Sequence, residues 1–192
     1  MKNVSDWELV ARAGSGETDA FAALVRRYQV PVIHFCQRMV GSVEDAEDIA
    51  QESFVRLYRN VPRLKPKAKF ATVMFGIARN LALNHLRDAK RRGKHVTTSM
   101  AGHDNVERPV ADEKSRPDRE TRLREIETLI EGGLARLSPE HREVLVLREL
   151  QGLDYEAIAR IVRCRKGTVK SRLARARAQL RAHLAAMGGD LL

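Results

Sequence analysis

Hydrophobic residues recur at helical spacing in two blocks of the chain. In the first block, from about residue 6 to residue 92, one such stripe consists of Phe21, Leu24 and Tyr28. Helical spacing resumes near Leu123 and continues toward the C-terminus. No segment has the strict alternation of polar and apolar residues that is typical of a β-strand. The pattern therefore predicts an all-α protein.

The block between the two periodic ones is polar. From about residue 93 to residue 119 it has no hydrophobic period and contains two prolines, a composition typical of a flexible tether. We therefore predict two small helical domains, residues 1–95 and residues 121–192, joined by a flexible linker over residues 96–120. The C-terminal domain is predicted to contain a helix-turn-helix.

Residues that begin and end helices are easily recognised. Ser138 followed by Pro139 is typical of an N-cap and first helical position, and Asp154 can cap the next helix. Gly152 is expected to end the helix before it. In the N-terminal block, Ser42 is expected to cap a helix whose first turn is acidic.

The last predicted helix has three distinct faces when its residues are placed ~100° apart. Its apolar seam consists of Val169, Leu173, Ala176 and Leu180. Opposite the seam lie the small residues Ser171, Ala174 and Ala178. Small residues let a helix approach base edges, while basic flanks reach the phosphates on both groove walls. A DNA-reading helix is the preferred interpretation, and a solvated basic helix or a membrane-surface helix are the alternatives.

The charge of the chain favours a polyanionic partner. The formal net charge is +10, and residues 157–192 contain nine Lys/Arg against one acid. Aromatic residues make up only 5% of the chain, which argues against a base-stacking platform for single strands.

The two cysteines and the N-terminal residues indicate a reducing compartment. Cys36 and Cys164 belong to no CxxC motif, so we expect core residues and neither a zinc site nor a disulfide. The first residues lack a signal-peptide core, and no window approaches ~20 apolar residues. We expect a cytoplasmic protein without stable membrane insertion.

Three carboxylates share one face of a predicted helix in this otherwise basic chain. Asp45, Asp48 and Glu52 are spaced i, i+3, i+7. They could form a solvated acidic face, a divalent-metal site of a nuclease, or a docking face for a basic protein surface. We prefer the docking face, to which Gln51 and Phe54 would add polar and apolar contacts.

Four segments together resemble one family. In chain order they are DAEDIAQESFVRLY, KFATVMFGIARNLALNHLR, LARLSPEHREVLVLRELQGLDYEAIARI and GTVKSRLARARAQLR. They resemble bacterial RNA polymerase sigma factors of the extracytoplasmic-function (ECF) group, over about residues 19–184. The chain departs from the family pattern at Val73, where many members carry tryptophan.

The resemblance implies roles for the N-terminal domain. Core RNA polymerase would be bound through its β′ coiled coil by Asp45, Asp48, Gln51, Glu52 and Phe54. Promoter −10 DNA would be bound by Leu64, Lys67, Lys69, Arg79, Asn80, Asn84 and Arg87. A loop over residues 64–69 would capture an unpaired base of the nontemplate strand, and unstacking a base costs a few kcal/mol.

The resemblance also implies roles for the C-terminal domain. Lys170, Ser171, Ala174 and Arg175 would face the bases of the −35 element. The remaining −35 contacts, mainly to phosphates, would come from Arg148, Tyr155, Arg165, Lys166, Thr168, Arg172 and Arg177. Further implied partners are the polymerase β flap and an anti-sigma factor. Neither catalysis nor a cofactor or metal is expected.

Two functions from other classes compete with initiation. The first is a dimeric helix-turn-helix regulator whose N-terminal block senses a ligand, which would protect a palindromic site without polymerase. The second is a magnesium-dependent nuclease using Asp45, Asp48 and Glu52. The acidic docking helix and the long linker disfavour the regulator.

Overall fold

The computed structural model describes residues 4–93 and 117–187. Within those ranges the chain forms eight α-helices, one short 3₁₀ turn and no β-strand, which confirms the all-α prediction. The N-terminal helices are α1 (Asp6–Gly14), α2 (Thr18–Val40), α3 (Val43–Asn60) and α4 (Phe70–Arg91), with the 3₁₀ turn at Val61–Arg63. The C-terminal helices are α5 (Pro117–Arg136), α6 (Pro139–Glu149), α7 (Tyr155–Val162) and α8 (Lys166–Met187).

The helix α5 begins inside the segment predicted as a linker. Its first six residues, PDRETR, are all polar or proline, so they carry no hydrophobic period from which a helix could be predicted. The predicted linker lies outside the described residues up to residue 116. Its flexibility stays a prediction.

The N-terminal domain is a bundle of α2, α3 and α4 with α1 packed against it. Its core includes the fully buried Leu24, Phe35, Leu57 and Met74. Cys36 is buried there as predicted, and burial raises the pKa of its thiol to about 12. A thiol with so high a pKa stays protonated and inert near neutral pH.

The C-terminal domain packs α6, α7 and α8 around Leu147, Ile158, Val169 and Leu173. The predicted caps are confirmed at three helix starts. Ser138 Oγ accepts from the backbone N–H of His141 at 3.4 Å, and Asp154 Oδ1 accepts from that of Ala157 at 2.8 Å. In the N-terminal domain, Ser42 Oγ accepts from Asp45 N–H at 3.2 Å.

Two glycines in the C-terminal domain serve different purposes. The helix α6 ends at Glu149, earlier than the predicted end at Gly152, which instead adopts the left-handed conformation (φ 63°) within the following turn. Gly133 lies where α5 crosses α8. A Cβ there would come within 2.9 Å of His183 Cδ2 and closer still to Leu180 Cδ1, so the missing side chain permits the close crossing.

Candidate functional site

The helix α8 presents the faces that its sequence predicts. Val169, Leu173 and Ala176 are buried, with 2% or less of each exposed, and pack toward α6 and α7. Opposite them, Ser171, Ala174 and Ala178 are exposed. The small face is therefore exposed, and no bulky side chain at these three positions would hinder a close approach of α8 to another molecule.

A three-residue turn joins α7 to α8 and orients the exposed face. Asp154 caps α7 at its start, and Arg163 ends it with a left-handed backbone (φ 56°). This conformation costs a residue with a side chain roughly 1 kcal/mol or more. The tight turn presents Arg165 and Lys166 at the N-terminus of α8, where backbone N–H groups also attract phosphate.

The basic residues of the helix-turn-helix fall into two groups. Arg165, Lys166, Lys170 and Arg175 are exposed and have no ion pair within the described residues. By contrast, Arg177 Nε donates to Glu149 Oε1 at 3.0 Å. Because that pair is exposed, it is worth at most about 1 kcal/mol and could be exchanged for a phosphate contact.

Arg148 and Tyr155 contact each other instead of standing free. The guanidinium lies 5.1 Å from the centre of the Tyr155 ring, and Arg148 Nη1 donates to the carbonyl of Leu153 at 2.9 Å. The two side chains therefore close the turn between α6 and α7. Thr168 is half-buried, and its carbonyl accepts from Ser171 Oγ at 3.0 Å.

The acidic face of α3 is largely open to solvent, although one end of it, at Asp45, lies beside α4. Asp48 and Gln51 are exposed, and the side chains of Asp45 and Glu52 are 44% and 43% exposed. Each of the two outer carboxylates has a neighbour: His85 Nε2 lies 3.4 Å from Asp45, and Arg56 Nε donates to Glu52 at 2.7 Å. The Arg56–Glu52 pair is exposed, so it contributes at most about 1 kcal/mol and can be exchanged for a contact with another molecule. Phe54 is half-buried against the core beside this face.

The predicted −10 residues occupy the loop over residues 64–69 and one face of α4. Lys67 and Lys69 are exposed in the loop, and Leu64 is half-buried. On α4, Asn80, Asn84 and Arg87 are exposed at i, i+4 and i+7 and therefore share a face. Arg79 departs from this set, because its side chain is only 14% exposed.

Comparison with known proteins decides between the competing functions. A family model described as sigma-70 region 2 matches residues 24–92, and one described as sigma-70, region 4 matches residues 128–180. The RNA polymerase sigma-H factor of Pseudomonas aeruginosa is 36% identical over 90% of this chain and 90% of its own length. The ECF RNA polymerase sigma factor SigW of Bacillus subtilis is 33% identical over 91% of this chain and 94% of its own.

The chain belongs to the ECF sigma factors. The solved structure of CnrH in complex with the cytosolic domain of CnrY supports the same fold, with 25% identity, a TM-score of 0.67, and coverage of 95% of this chain and 98% of that one.

As an ECF sigma factor, the protein is a non-enzymatic DNA-binding initiation factor that directs promoter-specific transcription. The two matched regions imply binding to RNA polymerase and to promoter DNA. Within the described residues, no three His, Cys, Asp or Glu side chains gather into a metal-binding group. None of the helices in the described ranges combines the length and apolar content that crossing a bilayer requires.

A buried ion pair joins the two domains of this sigma factor. Arg79 of α4 donates to Glu143 of α6 through Nε at 2.7 Å and Nη2 at 3.2 Å. The Glu143 side chain is only 1% exposed, and Arg172 Nη1 of α8 approaches it at 3.7 Å. Burial raises the pKa of Glu143, and the two arginines oppose that rise. One carboxylate thus holds two arginines that were predicted to contact DNA.

Further bonds cross between the domains around that pair. Arg142 Nη1 donates to the carbonyl of Met39 at 2.6 Å, and Gln151 Nε2 donates to that of Pro31 at 3.3 Å. Two ion pairs, Arg38–Glu131 at 2.6 Å and Lys69–Asp154 at 3.1 Å, also cross between the domains. The packed arrangement therefore occupies Lys69 and Arg79 but leaves Asn80, Asn84 and Arg87 exposed.

This contact between the domains is not among the features that the sequence predicted. The available signal was Glu143 itself, which lies four residues before the buried Leu147 and so shares its helix face. A lone acid on an apolar face indicates a buried partner, since an unpaired buried charge is costly. The identity of that partner, 64 residues away in sequence, could not be read from local patterns.

Proposed function

We propose that this sigma factor binds core RNA polymerase through the acidic face of α3. Asp48 and Gln51 are exposed, and Asp45 and Glu52 keep nearly half of their side-chain surface in solvent. The carboxylates would meet basic residues of the β′ coiled coil, and Phe54 would add an apolar contact at the edge. Complementary charge of this kind steers association and fixes register.

In the same proposal the loop over residues 64–69 and the exposed face of α4 hold the melted −10 strand. Lys67 and Lys69 would contact its phosphates, and Leu64 would line the place of a captured base. Asn80 and Asn84 carry amide groups that can hydrogen-bond the edges of unpaired bases. Arg87 extends the same face with a further phosphate contact.

The C-terminal domain would read the −35 duplex with α8. Lys170, Ser171, Ala174 and Arg175 occupy the exposed face and one flank, where they can reach base edges. Contacts to phosphates would come from Arg165, Lys166, Thr168, Arg172 and Arg177. Arg148 and Tyr155 would add further phosphate contacts. This domain would also bind the polymerase, at the β flap, in addition to the contact that α3 would make with the β′ coiled coil.

Use of the full −10 surface requires the domains to separate. Arg79 can contact DNA only after it leaves the buried Glu143, whereas the exposed Lys69 need only exchange a weak surface pair with Asp154. A partner that favours the packed arrangement would therefore oppose promoter binding. We propose an anti-sigma factor as that partner; the similar chain CnrH, solved in complex with the cytosolic domain of CnrY, supports the binding of a partner protein to this fold. Its site of action would be the cytoplasm, where the polymerase works.

The observation that carries the proposal is the separation of a negative face on α3 from a positive face on α8. The decisive experiment compares Asp48→Lys and Lys170→Ala in the full chain. Binding to core polymerase is measured by fluorescence anisotropy, and transcript starts are mapped on genomic DNA. We expect Asp48→Lys to weaken core binding at least tenfold, and Lys170→Ala to leave core binding unchanged while reducing selection of −35 sequences.

The control is Glu125→Lys, which makes the same charge change at an exposed position of α5. It should leave core binding within a factor of two of the unmodified protein. Equal loss of core binding in Asp48→Lys and Lys170→Ala would contradict the division of labour. An absence of any transcript start, with core that is active beside another sigma factor, would contradict the proposed mechanism as a whole.

A further inference from the structure

The loop over residues 64–69 is held from outside by the N-terminal helix α1. Trp7 Nε1 donates a hydrogen bond to the carbonyl of Ala68 at 2.8 Å, across 61 residues of sequence. At the other end of α1, Gly14 lies 3.7 Å, measured from the position of an added Cβ, from Val61 Cγ1 in the 3₁₀ turn that leads into the loop. The helix α1 thus contacts both ends of the connection between α3 and α4.

An aromatic cluster fixes the position of Trp7. Its indole packs edge-on against Phe70, the first residue of α4, with ring centres 6.0 Å apart, and Tyr28 packs on the same ring at 5.1 Å. Tyr28 Oη in turn donates to Asp6 Oδ2 at 2.6 Å, next to Trp7 in sequence. Aromatic pairs of this geometry each add about 1 kcal/mol beyond the area that they bury. The indole N–H is therefore presented by a rigid support.

The loop has little internal support of its own. Lys65, Lys67 and Lys69 are exposed within five residues, so their charges repel one another. Among the described residues, one backbone hydrogen bond lies within the loop, from Lys67 N–H to the carbonyl of Lys65 at 2.8 Å. External contacts must therefore help to keep the loop in one shape; besides the bond from Trp7, the structure gives it the exposed ion pair of Lys69 with Asp154.

We propose that Trp7 is a positioning residue for promoter opening: its N–H bond to Ala68 holds the loop in the shape that receives the unpaired −10 base. The inference rests on the proposed base-capturing role of the loop. Trp7 lies outside residues 24–92, the range that matches sigma-70 region 2. Without this hydrogen bond, the loop would have to become ordered at the moment when it binds the base. The free-energy cost of that ordering would weaken the binding of the base.

The test uses Trp7→Phe in the full chain with core polymerase. Phenylalanine keeps a ring against Phe70 but has no N–H to donate. Open complex is measured by permanganate reactivity of the −10 thymines on a promoter found by start-site mapping. We expect roughly a threefold to tenfold loss of open complex, the range for one lost hydrogen bond, with core binding unchanged.

Val10→Ala is the control for a merely structural effect. Val10 is buried in α1, 4% exposed, and its truncation leaves a cavity without removing the bond to Ala68. We expect this variant to melt at a lower temperature than the unmodified protein and yet to open the promoter normally well below that temperature. Normal opening by Trp7→Phe, or an equal opening defect in both variants, would overturn the inference.

Single abasic sites along the nontemplate −10 strand separate this inference from the proposed function. If the loop captures a base, one abasic position should lower opening by the unmodified protein, and Trp7→Phe should cause no further loss there. Suppose that an abasic site lowers opening by the unmodified protein but that Trp7→Phe still causes its full loss of opening on the same template. That result would refute only the role of Trp7. Insensitivity of the unmodified protein at every position would refute base capture itself.

Discussion

Replacement of Arg79 by methionine should loosen the contact between the two domains. Arg79 makes two hydrogen bonds to Glu143, and the two side chains are 14% and 1% exposed. Methionine keeps most of the apolar stem and removes the charge, so the carboxylate keeps only the weaker approach of Arg172 at 3.7 Å. The expected effect is confined to the equilibrium between packed and separated domains in the DNA-free protein.

The magnitude follows from the burial of the pair. A hydrogen bond to a charged group contributes about 1.5–3 kcal/mol, and removal of one partner from a fully buried pair costs about 3–5 kcal/mol. Two features reduce the larger figure: Arg172 remains nearby, and separation of the domains returns Glu143 to water. About 2 kcal/mol is therefore expected, which corresponds to a roughly thirtyfold shift toward separated domains.

Single-molecule energy transfer can measure that shift. One dye is placed on the half-buried Cys164 and the other on a cysteine that replaces the exposed Lys90. Cys36 is spared, because it is buried and its thiol pKa is raised to about 12. Arg87→Met is the matched control, since it removes the same charge from an exposed position of the same helix.

Two results would refute the reasoning. The first is a distribution of distances for Arg79→Met that is indistinguishable from that of Arg87→Met. The second is strict additivity between Arg79→Met and Glu143→Gln, because two side chains that bind each other must show a coupling energy in a double-mutant cycle.

Two further predictions concern single residues. Burial raises the pKa of Glu143 in spite of its two arginine neighbours, so the folded protein holds this proton more tightly than the unfolded chain does. The stability that arises from this difference is present below about pH 4 and is lost as the pH rises through the raised pKa. The melting temperature of the unmodified protein minus that of Glu143→Gln should therefore fall with rising pH, and a flat or rising difference would contradict the assignment. Arg163→Gly should raise the free energy of unfolding by up to about 1 kcal/mol in chemical denaturation, because glycine adopts φ 56° without steric cost, whereas Arg163→Val should lower it.

Local patterns were sufficient to predict the features that are local in origin. The caps at Ser42, Ser138 and Asp154 depend on residues within three positions, so short spacing rules identify them. The seam of α8 follows from the helical period, which is the same in any helix that covers a core. Family resemblance then added the functional assignments, which periodicity alone leaves open.

What the sequence did not predict depends on contacts between distant segments. The family resemblance implied that Arg79 contacts DNA, but its partner Glu143 lies in the other domain. The left-handed turn at Arg163 was also missed, because such a position is usually signalled by glycine. Trp7 belongs to no recognisable motif, because the group that it binds is a backbone carbonyl 61 residues away.

The absence of a side chain at Gly133 has a mechanical consequence. Because the backbone of α5 at Gly133 lies directly against the side chains of Leu180 and His183, α8 can keep its present distance from α5 only while residue 133 has no side chain. The chain enters its second domain through α5. A displacement of α5 would therefore be passed on to α8 at the contact made by Gly133. A valine at position 133 is expected to push Leu180 and His183 away and so to change the direction in which the exposed face of α8 points.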